Sequence, residues 1–108
     1  MVINGREVHF FYSVGARCDF EDYIILHSGK IGTTRAMVAK AIAMNKAYIL
    51  KEGSKEEPLK ESEIMEMPEG KMKELVAEID ACEKRDSKRT VEAEEPKGKN
   101  AESAAEQN

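Results

Sequence analysis

The chain has 108 residues, 41% of them hydrophobic, and a formal net charge of −4. That length holds a single domain with a modest core, since domains usually run to about 100–200 residues. The acidic balance argues against a nucleic-acid binder, because tracking a phosphate backbone needs a basic face.

No stretch approaches the roughly 18 uncharged apolar residues of a membrane span, and the start lacks the apolar core of a signal peptide. A cytoplasmic protein with no membrane partner is expected. Cys18 and Cys82 stand far apart and form no CxxC pair, which predicts two free, buried thiols in a reducing compartment.

At the start, Asn4-Gly5 lies between Val2-Ile3 and the run Val8-His9-Phe10-Phe11-Tyr12. Asn-Gly favours a type I′ turn, so the chain is expected to open with a β-hairpin. Along its second strand Val8, Phe10 and Tyr12 share one face, and His9 and Phe11 the other. Both faces then carry an aromatic residue, and a two-stranded hairpin is marginal in water, so helices or another chain must cover it.

Ser13 is a suitable N-cap for a first helix reaching about His27, with Ala16, Phe20, Tyr23 and Ile24 at helical spacing. A start capped at Asp19 is the alternative. Ser28-Gly29 and Gly32 break that pattern. Thr33 or Thr34 then caps a second helix to about Lys51, with Met37, Val38, Ala41, Ile42, Met44, Tyr48 and Ile49 on its apolar side. Its remaining alanines (Ala36, Ala39, Ala43 and Ala47) suit packing on more than one side, which predicts a central helix.

A polar connector over 53–58 leads to a short helix between Leu59 and Met67, and Pro68 opens the next. Met72, Leu75, Val76, Ile79 and Cys82 follow an i, i+3, i+4, i+7, i+10 pattern, the clearest amphipathic stripe in the chain. From Asp86 onward Val91 is the only large apolar residue, too little to offset the entropy of ordering. The fold expected is α+β and mostly helical. An N-terminal β-hairpin is followed by three to four packed helices in residues 1–85, then a disordered charged tail in 86–108.

Four groupings invite a chemical reading. His9, Cys18 and His27 are each solitary, whereas structural zinc sites bring ligands in close pairs, so packing is the better account and no metal is expected. Cys18 has no orienting third group to make it a nucleophile. Gly29-Lys30-Ile31-Gly32-Thr33-Thr34 resembles a phosphate loop but places its lysine before the second glycine and follows a helix, so it reads as an inter-helix turn. Lys84, Arg85, Lys88 and Arg89 fit cations near a helix C-terminus, with acidic residues directly after them. No enzyme chemistry and no cofactor are expected.

Ile3-Asn4-Gly5-Arg6-Glu7 feeding an aromatic strand, Ser13-Val14-Gly15-Ala16 opening a helix, an Ala-rich second helix and Lys88-Arg89-Thr90-Val91-Glu92 heading a charged tail occur here in that order. This order resembles the tail assembly chaperones of long-tailed phages and prophages. The resemblance implies a non-catalytic, mostly helical protein that binds the tape measure protein. It would keep the long hydrophobic helices of that partner soluble while tail tube subunits are recruited, and leave before the virion is complete.

The family is often made in two forms, the longer by a programmed ribosomal frameshift, and this chain would be the short one. Lys97-Gly98-Lys99 can be encoded by a slippery heptamer, in keeping with that expectation. Candidate contacts with the tape measure protein, the tail tube protein or further copies of the chain are Phe11, Tyr48, Met65 and Met67. The aromatics are suggested as interface anchors and the methionines as adaptable surface. The alternative reading is an acidic regulator or inhibitor, of the immunity or antitoxin kind, that masks a basic surface.

Overall fold

A computed structural model describes residues 1–92, and side-chain surroundings through residue 88. Strand β1 (Val2–Ile3) pairs antiparallel with β2 (Arg6–Glu7), Val2 opposite Glu7 and Ile3 opposite Arg6. Asn4 and Gly5 both take positive φ, 54° and 79°, as an Asn-Gly type I′ turn requires. The pairing ends one residue later, where the Val8 N–H donates to the Met1 carbonyl at 2.7 Å and the Met1 amino group donates to the Val8 carbonyl at 3.1 Å.

The long second strand expected over Val8–Tyr12 is therefore not formed. Residues 8–12 leave the hairpin and lie on two helices, which replace the missing strand as hydrogen-bonding partners. Those helices are α2 (Thr33–Glu52) and α4 (Glu69–Glu92). The Phe11 N–H donates to the Met44 carbonyl at 3.0 Å. The His9 carbonyl accepts from Asn45 Nδ2 at 2.9 Å, and the Phe10 carbonyl from Arg85 Nη2 at 3.0 Å. The Tyr12 N–H donates to Asp86 Oδ2 at 2.8 Å. Side chains still alternate: Val8 and Phe10 are buried, His9 is exposed and Phe11 half-buried.

Helix α1 (Val14–Leu26) starts where the sequence places it, with Ser13 Oγ accepting from the Ala16 N–H. A turn through Ser28 and Gly29, both at positive φ, leads to α2. The cap of α2 differs from expectation. Gly32 is the N-cap and no side chain caps it, Thr33 being already helical. Gly53 closes α2 in the left-handed region, and its N–H and that of Ser54 return to the Ile49 carbonyl, a common helix stop.

Helix α3 (Glu61–Met65) is shorter than expected. Leu59 is buried ahead of it, tied by its N–H to Asn45 Oδ1 at 2.8 Å. The capping contact of α3 comes from Glu63, whose carboxylate accepts from the Lys60 N–H.

Helix α2 packs against α1, α3 and α4, so it is the central helix. The core gathers Ile3, Val8 and Phe10 from the N-terminal segment with Val38, Ala41 and Met44 of α2, Ile64 of α3, and Leu75, Ile79 and Cys82 of α4. Leu75 and Ile79 are fully buried, each stabilising the fold by about 1.5–3 kcal/mol relative to exposure.

The stripe on α4 does not stop at Cys82. Asp86, four residues on, is 7% exposed, and the helix continues to Glu92. The ordered part thus passes the boundary expected near residue 85. The basic residues Lys84 and Arg85 lie inside the helix, not at its end. The rest of the expected tail, residues 93–108 with Lys97-Gly98-Lys99, lies outside the described residues. Among the described residues no helix is long and apolar enough to cross a membrane.

Candidate protein-binding surface

Phe11 and Tyr48, taken from the sequence as contact residues, are brought together. They line a cleft of about 380 Å³ between the N-terminal segment, α2 and α4, with Cys82 and Arg85 on the α4 side. Neither ring is free. Tyr48 stacks on His9, centroids 4.8 Å apart, and Lys51 Nζ sits 5.2 Å above the Phe11 ring. Both aromatics are half-buried. His9 Nδ1 lies 3.5 Å from Glu56 Oε1, so one wall of the cleft is tied to the connector after α2.

Met65 and Met67 are also brought together, around a groove of about 500 Å³ between the start of α2, α3 and α4. Met72, assigned by its spacing to the core, lines the same groove beside Val38 and Val76. Met65 is 45% exposed, while Met67 packs on the core. Three unbranched thioether side chains around one opening make a surface that repacks readily.

A further apolar surface involves Ile25, Leu26 and Leu50, for which the sequence gives no periodic signal. Of α1 only Ala16 is buried. Ile25 is 72% exposed, Leu26 79% and Leu50, near the end of α2, 86%. Between α1 and α2 runs a groove of about 600 Å³ with Ala39, Ile42 and Ala43 on its α2 side and Tyr23 and Leu26 on its α1 side. A second hollow of about 230 Å³ shares Asp19, Ala43 and Lys46 with it and continues past Ala47 to Leu50. Single exposed apolar residues are ordinary, but a largely apolar groove is a candidate interaction surface.

The signal for this face is the run Tyr23-Ile24-Ile25-Leu26. Successive helical residues turn by about 100°, so four large side chains in a row cannot all meet one neighbouring helix.

The charges along this groove are arranged by wall. Asp19 and Asp22 belong to α1 and Lys46 to α2, and none of the three side chains forms an ion pair or hydrogen bond with another described residue. On the other side of α2, Lys40 is consumed internally. It pairs with Glu83 of α4 and lies 5.3 Å from the Tyr12 ring centre and 5.7 Å from that of Phe20.

The remaining reactive groups are dispersed. Cys18, expected to be buried, is exposed on α1, and Cys82 is buried on α4; both thiols are free. Burial pushes the Cys82 thiol above its ordinary pKa. His27 Nδ1 donates to the Tyr23 carbonyl at 2.9 Å, and the two rings lie 4.4 Å apart. Among the described residues no group of three or more His, Cys, Asp and Glu side chains could hold a metal ion. Compared with known protein families, with curated proteins and with solved structures, the chain matches none.

Proposed function

We propose that this protein is a tail assembly chaperone of a long-tailed phage or prophage. In this reading it works in the bacterial cytoplasm, catalyses no reaction, and holds apolar helices of the tape measure protein while tail tube subunits are recruited. The order of sequence features along residues 3–16 and 88–92 suggests the family. The open apolar groove between α1 and α2, flanked by Leu26 and Leu50, is the observation that supports the activity. A holdase for long hydrophobic helices needs such a surface, and helix-in-groove docking is a common way to supply one. The mixed charges of the groove favour this reading over an acidic inhibitor, which would present an anionic face.

The test is co-expression with the very long helical protein encoded near this gene. Its soluble fraction should rise with the wild-type chain and fall back with the double substitution Leu26→Asp/Leu50→Asp. Both leucines are largely exposed, so the substitutions should alter the stability of the fold by no more than about 0.5 kcal/mol each. If no such neighbouring gene exists, or if the double variant solubilises the partner as well as wild type does, the reading fails.

A further inference from the structure

The α1/α2 groove has a length, a floor and two unlike edges, and together these specify an occupant. The 13 residues of α1 set its length at roughly 20 Å, about four turns of a docked helix. Ala39, Ala43 and Ala47 lie along it, and such small side chains admit a helix axis at about 8 Å, the near end of helix packing distances. Asp19 and Asp22 stand along the α1 edge and Lys46 along the α2 edge; Lys51, in the continuing hollow, is already paired with Glu52 at 2.8 Å. A second copy of the chain docking by this face would set one concave surface against another and leave the space between them unfilled.

We propose that the groove binds one amphipathic helix whose apolar stripe carries cationic residues on the edge beside α1 and anionic residues on the edge beside α2. The proposal rests on the reading of this surface as the chaperone's docking site. The charge order also fixes direction. Turning a helix end for end exchanges its two edges, so a helix with unlike edges enters the groove in one orientation only. The apolar stripe supplies the affinity, and the edges supply selection and polarity.

The experiment uses the full chain and three synthetic amphipathic peptides of about 18 residues, long enough to cover the groove. They share one apolar stripe and differ in having one cationic and one anionic edge, two anionic edges, or two cationic edges. Fluorescence anisotropy should rank the mixed-edge peptide tightest, by roughly threefold to tenfold, the range that a few exposed ion pairs provide. The gap should narrow in high salt. The double substitution Asp19→Lys/Asp22→Lys makes both edges basic, and should move the preference to the peptide with two anionic edges while leaving the circular dichroism spectrum unchanged.

Equal binding of the three peptides, or a preference that charge reversal does not move, overturns the proposal but leaves apolar docking intact. Binding of none overturns both the proposal and the docking site it rests on. So does a concentration-dependent dimer that Leu26→Asp/Leu50→Asp abolishes, since the occupant is then a second copy.

Discussion

Asn45 shows how one polar side chain can organise a small core. It is fully buried on α2, donates to the His9 carbonyl and to Glu56 Oε2, and accepts from the Leu59 N–H. It therefore joins the N-terminal segment, the connector and the approach to α3. Asn45→Ala leaves the buried Leu59 N–H and the part-buried His9 carbonyl without this partner, which should cost on the order of 3 kcal/mol. Denaturant unfolding should show a lower midpoint with an unchanged slope.

Arg6 and Glu63 form the second long tie, with Nη2 at 3.0 Å and Nε at 3.2 Å from the two carboxylate oxygens. The Arg6 guanidinium, aided by the Lys60 N–H, holds the Glu63 carboxyl below the usual carboxylate range. A lowered folded-state pKa stabilises the fold fully above the unfolded value of about 4.3, and that contribution is lost as pH falls through the folded pKa. Unfolding measured from pH 6 down to pH 3 should therefore show stability falling below about pH 4.5. Glu63→Gln should be less stable than wild type at pH 6 and should flatten the acid slope.

Among the elements, α1 buries only Ala16 while α4 buries Leu75, Ile79 and Cys82, and each carries one thiol. Cys18 on α1 is exposed and Cys82 on α4 is buried, with its thiol pushed up. A thiol reagent at pH 8 should label one cysteine promptly in the native protein and the second only with denaturant, with peptide mapping assigning the first to Cys18. Prompt labelling of both would show that α4 opens readily, contrary to its packing. The periods of α2 and α4 were legible because their apolar residues recur at three and four. The stripe of α4 lost its signal at Asp86, since burial there depends on the Tyr12 N–H, a group 74 residues away.

Over the whole molecule, a hairpin followed by packed helices is what the sequence predicts and what the structure has. The Asn4-Gly5 turn, the Ser13 cap and the core stripe of α4 were all readable because each depends on neighbours within a few residues. Strand β2 ends early for the opposite reason. Whether residues 8–12 pair with a strand or lie on helices is decided by Asn45, Arg85 and Asp86, far along the chain. Phe11 and Tyr48 line one opening, and Met65 and Met67 line another. The larger α1/α2 groove was missed because amphipathic reading looks for residues that go inside and does not count those left over.

The clamp of residues 10 and 12 by Arg85 and Asp86 bears on the order in which the chain closes. Its hydrogen bonds join residues 74 and 75 positions apart, whereas α1 and α2 are joined by a short turn and pack directly. Near neighbours meet with less loss of chain entropy than distant ones. During synthesis both walls of the groove are made before residues 85 and 86. The proposed docking surface is thus built from the part of the molecule that can assemble first, and the clamp closes behind it.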